Sequence, residues 1–134
     1  MSAFPVGGQL DFVYMPSRDV AAEMACLANG LGGEVVFAIE AFGARVAMLR
    51  LGEGPPELLL ADHLEGERPV LVYRVANLDE EMRRLESAGV DPGPRFGIPH
   101  GPCCSVTLNG GHRIALYELT RPETTQRFSG RRDF

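Results

Sequence analysis

Apolar residues along the chain fall into two rhythms that occur in the same order twice. Val20, Met24 and Leu27 recur at i, i+4 and i+7, and so do Leu78, Met82 and Leu85, the stripe by which an amphipathic helix covers a sheet. A short apolar run precedes each stripe, Phe12-Val13-Tyr14 in the first half and Leu71-Val72-Tyr73 in the second. Asp19 is placed to cap the first helix, and Asn77 the second, with Glu80 at capping-box spacing. Gly30 and Gly89 are expected to stop them. After each helix the period drops to about two, the signature of strands between Gly and Pro punctuation. The first half gives strands over Glu34 to Glu40, Ala44 to Leu51 and Glu57 to Asp62. The second gives Arg95 to Ile98, Cys104 to Leu108 and His112 to Leu119, the last two joined by the hairpin signal Asn109-Gly110-Gly111. Both halves therefore read βαβββ.

This pattern predicts an α+β fold of two tandem βαβββ modules, at about 9–62 and 70–119, with a linker over 63–69 and a polar tail over 120–134. The 134 residues suit one domain. With 45% hydrophobic and 23% charged residues the composition excludes a disordered or coiled-coil chain. A net charge of −5 argues against nucleic acid as a partner. No apolar run approaches the ~18 residues of a membrane span and no leader-like segment opens the chain, so a cytoplasmic protein away from membranes is expected. All thirteen basic residues are arginines, which closes off lysine Schiff-base chemistry. Cys26, Cys103 and Cys104 form an odd set without C-x-x-C spacing, so free thiols are expected rather than a disulfide framework or a structural zinc site.

The paired modules, the phrases Leu58-Leu59-Leu60-Ala61, Ile98-Pro99-His100-Gly101-Pro102 and Gly111-His112-Arg113, and the strand that continues to Glu118 resemble the vicinal oxygen chelate superfamily. That superfamily groups glyoxalases, bleomycin-resistance proteins and extradiol dioxygenases. The resemblance spans roughly Leu10 to Pro122. It implies a sheet curled into a cup that holds a small ligand, and a homodimer. In metal-dependent members, one ligand from the first strand and one from the last strand of each module converge on a divalent ion. The resemblance puts those positions at Phe12 or Val13, Leu58 or Leu59, Val70 or Leu71, and Ala115. All are apolar, and an ion needs about four N, O or S donors. No cofactor is therefore expected. The alternative is a divalent metal displaced to His63, His100, His112 or Glu118.

Strand alternation sorts the candidate ligand contacts. Tyr14, Tyr73 and Tyr117 lie on strands that should line the cup, each with an apolar body and a polar tip. Phe12 shares a face with Tyr14, and Arg113, Ala115 and Tyr117 share a face of the last strand, with Glu118 pointing away. Arg50 shares a face with Val46 and Met48; it and Arg74 must find solvent, a carboxylate or an anionic ligand. His100, between two prolines, is the candidate catalytic residue, a general base or a ligand hydrogen-bonding group. Cys103-Cys104 turns one thiol inward and one outward. In the tail, four arginines against Glu123 and Asp133 leave +2, with Phe128 and Phe134 between them, a pattern suited to docking on a partner subunit or to a disordered end. Three readings follow: a metal-independent small-molecule binder, with resistance by sequestration as one role; an enzyme (lyase, isomerase or dioxygenase) using a displaced metal or His100; and a scaffold whose cup its own side chains fill.

Overall fold

The computed structural model describes residues 8–134; the expectation that no leader opens the chain rests in part on residues 1–7, outside that range. The first module contains β1 (Gln9–Pro16), α1 (Val20–Ala25), β2 (Glu34–Ala41), β3 (Ala44–Arg50) and β4 (Glu57–Ala61). The second contains β5 (Val70–Val75), α2 (Leu78–Ser87), β6 (Phe96–Ile98), β7 (Gly101–Thr107) and β8 (Arg113–Glu118), and a single helical turn, α3 (Thr124–Phe128), follows. The eight strands form one curled sheet in the order β2-β3-β4-β1-β5-β8-β7-β6. Each module contributes four neighbouring strands, and the modules meet where β1 runs antiparallel to β5. The pairs β1–β4 and β5–β8 are parallel, so the sheet is mixed. Among the described residues no helix is long and apolar enough to cross a membrane.

The cap residues act as their chemistry dictates. The Asp19 side chain accepts from the Ala22 N–H at 3.1 Å and that of Asn77 from the Glu80 N–H at 3.0 Å, so each satisfies a helix donor left without a carbonyl partner. Gly89 ends α2 with a left-handed φ of 79°. The first helix does not stop at Gly30: it passes through a π-helical turn, Cys26–Gly30, and the left-handed residue is Gly32, φ 73°. Extra residues in the last turn delay the exit by two positions.

Alternation assigns the two sheet faces. Outside, α1 places Val20 and Met24 on Ala38, Ala47, Leu49 and Leu60, while α2 places Leu78 near Val75, Cys104 and Leu116. Inside, Phe12, Met48, Leu59, Val70, Val72, Cys103, Ala115 and Tyr117 form the lining of the cup. Two bulges interrupt the alternation, one between Leu10 and Phe12 and one between Val35 and Phe37. Each turns an extra residue, Asp11 or Val36, toward the interior, as bulges re-aim side chains.

The tail docks on its own chain. Thr124 Oγ1 donates to the Pro99 carbonyl at 3.1 Å, at the β6–β7 edge. α3 then carries the chain to the opposite edge, where Phe128 packs on Phe37 with ring centroids 5.6 Å apart. Gly130 N–H donates to the Val36 carbonyl, Ala38 N–H to the Arg131 carbonyl and Asp133 N–H to the Ala38 carbonyl, at 2.8, 2.8 and 2.6 Å. Phe134 lies against the outer cluster beneath Arg45, whose guanidinium carbon is 4.8 Å from the ring centroid. The tail, expected either to dock on a partner subunit or to form a disordered end, is ordered here as an intrachain strap. Its physical reason is edge strand β2, whose unpaired backbone groups the tail satisfies.

Candidate functional site

The cup interior is apolar through its middle. Phe12, Leu59, Val70 and Ala115, four of the positions to which the resemblance would assign metal ligands, are all buried in the same inner cluster. Hydrocarbon offers a divalent ion no donor, so the residues present do not fit a metal at this place. Among the described residues no group of three or more His, Cys, Asp or Glu side chains could hold a metal ion elsewhere. The alternative ligand set is scattered. His63 meets Tyr14 edge-on at 6.4 Å, His112 sits at the hairpin beyond β7, and Glu118 points to the helix side and accepts from the Leu78 N–H at 2.9 Å.

Polar groups gather at one end of the cup, where β1 and β4 begin and β5 and β8 finish. The Asp11 carboxylate is the hub. Tyr117, 1% exposed, donates its hydroxyl to Asp11 Oδ2 at 2.5 Å; Arg74 Nε lies 3.4 Å from the same oxygen; Gln9 Nε2 donates to Oδ1 at 2.6 Å. Burial pushes the Tyr117 phenol well above its ordinary range, and the Asp11 carboxylate pushes it the same way. The His100 ring packs on Phe12 and Tyr117, with centroids 5.1 and 6.2 Å away, and Nε2 shares a 3.1 Å hydrogen bond with Thr125 Oγ1 on α3. Burial lowers the His100 pKa, opposed by the negative charge of Asp11 and reinforced by Arg121. A neutral imidazole beside a buried carboxylate can accept or pass on a proton. Beyond Phe12, Arg50 Nε sits 3.3 Å from Glu57 Oε1.

Most of the sequence-designated residues reach the interior. Phe12, Tyr14, Ala115 and Tyr117 face it, and His100 stands at its polar end. Arg50 is on the inner face but spent on Glu57 at the rim. Arg113 turns to the linker, where its guanidinium donates to the Glu65 carbonyl at 2.5 Å, far along β8 from Tyr117. Tyr73 is a correction: it packs with Leu78, Cys104 and Leu116 on the helix face. Val70 and Val72 take the inward positions of β5, which leaves Arg74 as the inward neighbour of Asp11. Cys103 is the inward thiol and burial pushes it up to about 12, so it is a packing group rather than a nucleophile.

Sequence reasoning missed Asp11, Glu57 and Thr125. Asp11 sits at a bulge that alternation places on the wrong face; an acid inside an otherwise apolar strand was its only signal. Open grooves of about 550 and 470 Å³ lie outside the cup, one beside β6 and Arg121, the other between the linker and Arg113. Inside, the lining residues pack as one cluster, against which Phe128 of α3 is set.

No protein-family model and no curated protein matches the chain. Solved structures do. Methylmalonyl-CoA epimerase from Mycobacterium tuberculosis is 24% identical, with a TM-score of 0.70 over 90% of this chain and 93% of that one. A single-residue variant of the Streptomyces coelicolor methylmalonyl-CoA epimerase, in complex with 2-nitronate-propionyl-CoA, is 18% identical, with a TM-score of 0.66 over 84% and 98%. A catechol 2,3-dioxygenase is 18% identical, with a TM-score of 0.62 over 82% of this chain and 40% of that one. At these identities the likeness speaks to architecture alone, and with the strand order above it establishes that this chain has the paired βαβββ cup fold that these structures share.

Proposed function

We propose that the protein is a metal-independent small-molecule binder of the glyoxalase and bleomycin-resistance type, whose ligand occupies the cup after α3 moves aside. The observation that carries this reading is the buried Asp11–Tyr117 pair, with the partly exposed Arg74 beside it, facing an otherwise apolar interior. A purely structural core gains little from a desolvated carboxylate, whereas ligand sites pair apolar walls with a few fixed polar groups. The cover suits exchange: α3 is one turn, held at this end by Thr124 on Pro99 and Thr125 on His100. Moving Phe128 off Phe37 would vacate space for a ring-sized group. The homodimer implied by the fold is part of the proposal, and equilibrium sedimentation tests it.

Methyl NMR of chelator-treated protein during titration with a benzyl-sized aromatic tests the binding reading. Saturable shifts at Met48, Leu59, Val72 and Ala115 are expected; shifts confined to the outer grooves would contradict it.

A second reading, a metal-free enzyme in which His100 moves a proton, is favoured by the position of that ring between Tyr117 and Thr125, in the field of Asp11. Solvent deuterium entering a bound compound, and failing to do so with His100→Gln, would support it.

A further inference from the structure

The Arg50–Glu57 pair leaves a polar group unaccounted for. Glu57 lies on the inner face of β4, two residues before the inward Leu59, and opposite Phe12 in the parallel β1–β4 register. Arg50 continues the inward series of Val46 and Met48 on β3 and reaches Glu57 Oε1 at 3.3 Å. The other oxygen, Oε2, is sealed from solvent and has no hydrogen-bond partner among the described residues. Buried polar oxygens are almost always bonded, and an unbonded carboxylate oxygen is among the costlier exceptions. Asp11 offers the contrast nearby, with both of its oxygens engaged by Tyr117, Arg74 and Gln9.

From this contrast we infer that Glu57 Oε2 is a docking acceptor for the cup's ligand, and that the ligand carries an N–H or O–H donor one or two bonds from an apolar, ring-sized body. The inference rests on the cup-binding reading and specifies its substrate class. Three features define that class. The wall beside Glu57 is hydrocarbon, from Phe12, Met48 and Leu59, so the ligand's body is apolar. Arg50 occupies Oε1 and fixes the carboxylate, so the free oxygen has a set direction. The negative charge of Glu57 disfavours a carboxylate or phosphate at the same place, so the donor is neutral or cationic.

Three near-isosteric probes separate the possibilities: benzylamine, benzyl alcohol and ethylbenzene. Binding is read from the methyl shifts of Met48 and Leu59 in the full-length protein and in Glu57→Leu and Glu57→Gln, each first checked for a cooperative melt. The two donor-bearing probes are expected to bind the native protein about tenfold more tightly than ethylbenzene, the discrimination a hydrogen bond to a charged, desolvated acceptor supplies. Glu57→Leu should erase that preference while leaving ethylbenzene affinity unchanged or higher, and Glu57→Gln should weaken it. Equal binding of all three probes to the native protein, or a preference that survives Glu57→Leu, would overturn the role of Glu57 and leave the cup as a binding site. If none of the three moves a cup methyl, the binding reading itself falls and this inference with it.

Discussion

Tyr117→Phe isolates the polar hub of the cup, because it removes one oxygen and leaves the ring in place on Phe12 and His100. The hydroxyl is buried and donates to a carboxylate, a class of hydrogen bond worth about 1.5–3 kcal/mol. Asp11 keeps Gln9 Nε2 at 2.6 Å and Arg74 Nε at 3.4 Å after the change, so the loss belongs at the lower end, about 1.5–2 kcal/mol. For a chain of 134 residues that corresponds to roughly 5–8 °C in melting temperature. Circular dichroism melts at pH 7 measure it, with urea unfolding as a check on the slope. The pH dependence carries a sign. Burial and the Asp11 contact raise the phenol's pKa in the folded protein, so the stability it contributes is fully present below the unfolded tyrosine pKa of ~10. Above that pH the native protein loses stability that Tyr117→Phe never had, and the gap between the two should narrow. A loss under ~2 °C at pH 7, or a gap that widens above pH 10, would refute the assignment of Asp11 and Tyr117 as one buried unit.

His100 gives the opposite pH behaviour. Its pKa is depressed by burial, so the neutral ring's contribution is present above the unfolded value of ~6.5 and is lost as pH falls toward the folded value; His100→Gln should flatten this acid-side fall in melting temperature. Phe42 occupies a left-handed turn position, φ 53°, with its ring fully in solvent, so Phe42→Asn should relieve backbone strain without losing packing and raise stability by about 0.5–1 kcal/mol in urea titrations. Deleting residues 123–134 uncovers β2 and the inner Phe37, and should cost about 2–3 kcal/mol and increase binding of an apolar fluorescent dye, with the mass by light scattering changed only by the missing residues. An unchanged melting temperature for that truncation would contradict the intrachain strap.

Much of the fold was legible because short-range chemistry fixes it. The caps at Asp19 and Asn77, the glycine exit at Gly89 and the strand runs between Gly and Pro all follow from local sequence, and the paired modules led to the cup. The site was less legible, for one physical reason. Counting from Tyr14 to Tyr73 and counting from Asp19 to Asn77 give repeat registers that differ by one residue, and one residue reverses every side chain on a strand. The structure follows the second register, which sends Tyr73 to the helix face and Arg74 inward. The bulge at Asp11 is a second one-residue irregularity that periodicity averages away. The strap is non-local: the tail's affinity for β2 lies in backbone groups that every sequence carries.

On the proposed reading, the hydrocarbon of Phe12, Leu59, Val70 and Ala115 leaves no metal centre in the cup and its ligand is organic. Elemental analysis of tag-free protein, followed by melting curves with Mn²⁺, Fe²⁺, Ni²⁺ and Zn²⁺, tests it most directly. Substoichiometric metal and no saturable stabilisation by any of the four ions are expected. A near-stoichiometric metal, or a saturable rise in melting temperature with one ion that is lost in Asp11→Asn or His100→Gln, would contradict it.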